Sequence, residues 1–141
     1  MSNTPDLLTG VEQFMTAVKQ AIATTPHLPH YKTRCLRMNL LEEEVAEYFD
    51  ADESDDLEKA VDGLLDIIVV AYGTLLSYVG PEVAQECADE VTRANLAKIR
   101  PDGTFFKRAD GKVEKPEGWQ PPDIAGVLAR HGYKAAAGVR A

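Results

Sequence analysis

An all-α fold is the expectation for this chain, and three observations carry it. Apolar residues recur every three or four positions through most of the first hundred residues. The segments so marked end at helix-stopping signals: prolines at 26 and 29, the polar run 52–56, Gly80-Pro81 and Arg100-Pro101. Alternating apolar and polar residues occur only in a short stretch near 101–113, between two Asp-Gly turns, so β structure is confined to a small arm. With 141 residues and 45% hydrophobic content the chain is one domain with a sizeable core. The expected architecture is a four-to-five-helix bundle with a helical core over about 6–100. A short extended basic arm follows over about 101–123, then a short helix and a mobile tail over 124–141.

In order, residues 1–5 read as a frayed start, and Asp6 caps a helix reaching about residue 24, with Leu7, Val11, Phe14, Met15, Val18 and Ala21 at helical spacing. Residues 25–29 form a loop. His27 and His30 make an HxxH pair there, but the prolines remove the helix such a pair needs to grip a metal. A second helix spans about 32–51, and Asp55 or Asp56 caps a third over about 57–79. Between residues 60 and 76 that third helix is apolar on every side, which marks it as buried. Gly80-Pro81 stops it and restarts a fourth helix to about 99. Asp123 caps a last helix to about 130. Cys35 and Cys87, far apart and outside any CxxC, read as small core residues.

The net charge of −8 argues against a nucleic-acid binder held by the phosphate backbone. Its distribution says more. Residues 1–92 carry 18 acidic and 5 basic side chains, and residues 93–141 carry 5 acidic and 10 basic ones. Such a split suits a polyanion carried on metal ions, with acids seating the metal and lysines or arginines reaching the remaining phosphate oxygens; the alternative is a basic tail that neutralises its own surface. The start of the chain has no basic region leading into an apolar run, and no apolar stretch reaches the roughly 20 residues of a membrane span. The expectation is a cytoplasmic protein with neither membrane nor nucleic acid as partner.

Five acids carry the chemistry. Glu43, Glu44 and Glu47 fall on one helix, Asp62 and Asp66 on the next, each set at spacings of three and four that share a face. If the helices pack side by side the carboxylates converge, and like charges that close repel unless a cation sits among them or some stay protonated. All-oxygen sites of this kind suit Mg²⁺ or Mn²⁺. The first patch alone is equally a solvated face. The apolar surroundings of Asp66 tip the reading, since a buried aspartate needs a cation or several donors.

Four blocks, in order, resemble a known group. They are Leu41-Glu42-Glu43-Glu44-Val45-Ala46-Glu47; Asp62-Gly63-Leu64-Leu65-Asp66 with Tyr72-Gly73; Glu90-Val91-Thr92-Arg93-Ala94-Asn95-Leu96-Ala97-Lys98; and the arm from Arg108-Ala109-Asp110-Gly111-Lys112 through Pro116-Glu117-Gly118-Trp119-Gln120-Pro121-Pro122. The chain is similar over about 34–128 to the all-α nucleoside triphosphate pyrophosphohydrolases, which include MazG, the dimeric dUTPases and phosphoribosyl-ATP pyrophosphohydrolase. The resemblance is closest to a MazG-like branch with dUTPase-like members. One departure stands out: the superfamily pairs ExxE with a later ExxD, and the position three before Asp66 is Gly63, with Asp62 as the substitute.

The resemblance implies a bundle of the MazG or dimeric dUTPase type. It implies that Glu44, Glu47, Asp62 and Asp66 hold Mg²⁺ or Mn²⁺, and that Glu43 is the base for the attacking water or touches a second ion, with Glu47 the alternative base. Lys98 and Lys115 are implied as phosphate contacts, with Arg93 weaker, and Asn95 as a contact to sugar or base; a solvated helix end, a solvated loop lysine and a C-terminal cap are the rival readings. Trp119 is read as an anchor of the arm rather than a stacking platform. The expected reaction converts a nucleoside triphosphate, with dUTP or another non-standard dNTP first, to the monophosphate and pyrophosphate. Phosphoribosyl-ATP is the alternative substrate, and a non-enzymatic metal- or protein-binding module the alternative class; a di-iron bundle is disfavoured by the lack of a Glu-x-x-His. A helix apolar all round also predicts a homodimer or dimer of dimers that buries it.

Overall fold

The computed structural model describes residues 3–136; residues 1–2 and 137–141, on which parts of the expected frayed start and mobile tail fall, lie outside the described residues. The chain is all-α, with α1 at Leu7–Ala17, α2 at Tyr31–Glu53, α3 at Leu57–Leu96 and α4 at Ile124–Arg130. Among the described residues the arm's β structure is one isolated antiparallel bridge, Lys107 to Val113. Two compact units are distinguished, Met1–Pro81 and Glu82–Ala141.

In the first unit, Asp6 caps α1 by accepting the Thr9 N–H at 3.0 Å. The helix stops at Ala17 rather than near residue 24, and Lys19 turns the chain with φ 58°. The residues released from the expected helix have tertiary partners instead. Gly80 breaks α3 at φ 79°, and Pro81 has no N–H to offer the preceding turn. Carbonyls in that turn take donors from the loop: Ala23 N–H to Leu76 O at 2.8 Å and His27 N–H to Tyr78 O at 2.9 Å. The Ser77 hydroxyl donates to Ala21 O at 2.9 Å. A side chain at position 80 would run into Ala23 O, so glycine is required both by φ and by space. The expected stop at 80–81 is therefore present as a break inside one long element.

α2 begins one residue earlier and ends two later than expected, capped by His30, whose Nδ1 accepts the Lys32 N–H at 3.2 Å. Two contacts fix its register on α3. A Cβ on Gly63 would meet the Tyr48 backbone at 3.2 Å, and Arg37 donates from Nε to the Thr74 hydroxyl at 3.1 Å and from Nη2 to Val70 O at 2.9 Å. The helices therefore run antiparallel, with Glu44 level with Asp66 and Glu47 level with Asp62. Val11, Met15 and Leu76 form the buried core, flanked by Ile22, Val69 and Tyr72.

The expectation that α3 is buried on every side fails within one chain. Val61, Leu64, Leu65, Ile68 and Leu75 are each exposed by 44–47%. α1 and α2 together cover only part of a helix that is apolar all round. By length and composition α3 is also apolar enough to cross a membrane, which corrects the reading that no segment reaches that mark.

In the second unit Asp123 caps α4 by accepting the Gly126 N–H at 2.9 Å. Trp119 Nε1 donates to Ala94 O at 2.7 Å, anchoring the arm to residues 82–96 of α3 as expected. His131 Nε2 donates to Glu86 Oε1 at 3.0 Å, and Glu90 Oε2 accepts the Asp123 N–H at 2.8 Å. Val83, Ala84, Ala94 and Val127 are buried.

Candidate active site

The antiparallel register brings the five acids into one electrostatic neighbourhood. Burial pushes the Glu44 carboxyl above its ordinary range, and the charges of Asp66, Glu47, Glu43 and Asp62 push it further, in that order. All four other acids thus act on Glu44, from both helices. Its Oε2 is sealed from solvent and has no hydrogen-bond partner. Asp66 and Glu44 are both half-buried, so the expectation of an Asp66 shut away from water fails, and the one sealed, unpartnered carboxylate oxygen among the described residues belongs to Glu44. The reason is the incomplete cover of α3, which leaves the Asp66 turn partly wet.

Glu43, Glu47 and Asp62 are exposed. Glu47 and Asp62 line a cavity of about 410 Å³ with Asp50, Ser54, Asp56 and Lys59. Among the described residues no three His, Cys, Asp or Glu side chains are close enough to grip one ion as they stand. The carboxylates share a field without closing on a point. The two observations differ because charge acts over longer distances than coordination does. The donor set suits a hard divalent cation, and the orphaned Glu44 oxygen is the acceptor such a cation would satisfy. To converge on one ion, the exposed Glu43, Glu47 and Asp62 side chains would have to rotate.

Gly63, where the superfamily pattern has glutamate, sits against the Tyr48 backbone. The departure from ExxD coincides with close packing: a Cβ at 63 would ask the Tyr48 backbone to give by a few tenths of an ångström.

In the second unit Asn95, Lys98 and Lys115 line one cavity of about 760 Å³. Arg108 and Lys112, which sequence reasoning passed over, line it too. They flank the Asp110-Gly111 turn, the signal that could have found them. Trp119 lies between two of the lysines, 4.6 Å from Lys115 Nζ and 6.0 Å from Lys98 Nζ. Lys98 Nζ donates to Asn95 Oδ1 at 3.0 Å, and Arg108 pairs with Asp110 at 2.9 Å. Arg93 is drawn into anchoring the arm: Nε and Nη2 donate to Glu90, and Nη2 also to Pro121 O, at 3.0–3.1 Å.

A family model described as phosphoribosyl-ATP pyrophosphohydrolase matches residues 11–95, more than half of the chain. The match covers most of α1, all of α2 and nearly all of α3, and so every acid of the cluster. No curated protein gives a significant match.

Proposed function

We propose a substrate and a set of residue roles for this chain, which belongs to the phosphoribosyl-ATP pyrophosphohydrolase family. That family lies within the all-α nucleoside triphosphate pyrophosphohydrolases, so the protein is a hydrolase of phosphoanhydride bonds acting on a nucleotide. The substrate is a nucleoside triphosphate end, and water divides it into a monophosphate and pyrophosphate. The family match favours phosphoribosyl-ATP as its bearer. The hairpin arm, outside the match and similar to the MazG-like branch, favours a free dNTP such as dUTP.

The observation that carries the reading is Glu44, a half-buried carboxylate with four other acids acting on it and a sealed oxygen without a partner. Glu44, Glu47, Asp62 and Asp66 would hold Mg²⁺ or Mn²⁺, which supplies positive charge against the phosphates. Glu43, exposed and beside the cluster, takes the proton of the attacking water, with Glu47 as the alternative base. Lys98 and Lys115 contact phosphate oxygens, and Asn95 the sugar or base. A second copy of the chain covers the exposed Val61, Leu64, Leu65 and Ile68 in a dimer or dimer of dimers, because lipid would have to accept Asp62 and Asp66 on the same helix.

The test is a panel of NTPs, dNTPs and phosphoribosyl-ATP with Mg²⁺ or Mn²⁺, read by pyrophosphate release. Turnover that falls about 100-fold or more in Glu47→Gln and Glu43→Gln is expected, the scale of a lost general base. Variants that match the wild type would remove the acid cluster from the chemistry.

A further inference from the structure

The basic arm gathers like charges that its own acids do not balance. Lys98, Arg108, Lys112 and Lys115 line one cavity of about 760 Å³, and among the described residues Glu114 is the one carboxylate that lines it with them. Among the described residues no carboxylate forms an ion pair with Lys98, Lys112 or Lys115. Arg108 is paired with Asp110 at 2.9 Å, but both side chains are exposed, which makes that pair weak.

The hairpin sharpens the crowding. Arg108 N–H donates to Lys112 O at 2.8 Å, and Gly111, at φ 82°, closes the turn between them. Residues opposed in this way across an antiparallel pair share a face, where two like charges weaken the pairing. Lys98 and Lys115 are held near the Trp119 ring, 6.0 and 4.6 Å from its centroid, and Lys98 Nζ also donates to Asn95 Oδ1 at 3.0 Å. These partners are neutral, so they orient the two ammonium groups without cancelling their charge.

Cations held around one space repel until an anion enters it. A single phosphate ester, with a charge of about −1.5 to −2, leaves part of this set unmatched. Two or three linked phosphates carry more charge and reach more of the wall. A divalent metal is repelled here rather than recruited, since it needs carboxylate oxygens and the wall is cationic.

We infer that this cavity is a metal-independent seat for an oligophosphate, with Arg108 and Lys112 supplying contacts beyond those of Lys98 and Lys115. The inference rests on the nucleotide reading given above, which provides two such ligands: the triphosphate tail of the substrate and the pyrophosphate released from it. Both present linked phosphate oxygens, matched by the forked guanidinium of Arg108 and the ammonium groups of the lysines. Apart from Asn95, the lining residues lie beyond the family match at 11–95, so the seat belongs to this chain's arm.

Calorimetry on the full chain in EDTA measures binding of pyrophosphate and of non-hydrolysable α,β-imido dUTP, with sulfate at equal ionic strength as the control anion. Pyrophosphate should bind at least about tenfold more tightly than sulfate. Arg108→Gln and Lys112→Gln should each weaken it about tenfold, the scale of one charge-assisted hydrogen bond. Lys107→Gln removes the same charge from a side chain that does not line the cavity, and should change the affinity less than about twofold. All three side chains are exposed, so none of these variants disturbs the core. Displacement of pyrophosphate by the dUTP analogue assigns the seat to the substrate's tail; pyrophosphate that stays bound assigns it to the released product. No pyrophosphate binding in EDTA, equal binding of sulfate, or an equal loss in Lys107→Gln overturns the assignment. A single-stranded oligonucleotide that outcompetes pyrophosphate also overturns it and gives the face to nucleic acid. Turnover of the nucleotide panel with no pyrophosphate bound sinks the seat alone, whereas bound pyrophosphate with no turnover of any nucleotide sinks the nucleotide reading and leaves the seat standing.

Discussion

Replacing Glu44 by glutamine is the sharpest probe of the acid cluster, because it removes the charge while keeping the shape. The Glu44 carboxyl titrates higher in the folded chain than its ordinary 4.5, from burial and the charges of Asp66, Glu47, Glu43 and Asp62. The folded state therefore binds this proton more tightly than the unfolded state. The group's favourable contribution is complete below the ordinary value and is lost as pH rises through the folded one. At neutral pH, above the ordinary value, that contribution is diminished and the crowded acid opposes folding, so Glu44→Gln should stabilise the metal-free protein. An orphaned buried acceptor costs about 1–3 kcal/mol, and the partial exposure of this residue selects the low end, about 1 kcal/mol. For a chain of this size that raises Tm by about 4 °C in EDTA. A divalent ion reverses the ranking: at one hundred times its Kd it stabilises the wild type by about 2.7 kcal/mol, or about 10 °C, and the variant by less. Scanning calorimetry at pH 7, in EDTA and then in Mg²⁺ or Mn²⁺, reads both numbers. A variant no more stable than wild type in EDTA, with an equal response to metal, would refute the reasoning.

Substitutions at two further positions test the packing. Gly63→Ala should destabilise by about 1–3 kcal/mol in urea titrations, since its Cβ meets the Tyr48 backbone, which cannot yield as a flexible side chain would; Gly63→Glu, which restores the superfamily's ExxD, should be worse rather than better. Trp119→Phe removes the indole donor to Ala94 O and should cost about 1 kcal/mol, with faster proteolytic cleavage in residues 100–123 as the local readout.

Much of this was legible in one dimension. The helical class, the caps at Asp6 and Asp123, the break at Gly80-Pro81 and the Asp-Gly turns of the arm follow from neighbours within a few positions, which is the range over which periodicity, capping and turn chemistry act. The spacing of the acids on two faces belongs to the same class of information. Other features depend on atoms distant in sequence. The end of α1 depends on carbonyls in the turn before Gly80, and the glycine at 63 on a tyrosine of the neighbouring helix. Sealing one oxygen of the Glu44 carboxylate, and burying Arg37 between α2 and α3, likewise took tertiary contacts. Desolvation is a sum over everything packed around a group. A linear pattern names the residues able to carry a charge, and only the assembled helices decide which of them loses its water.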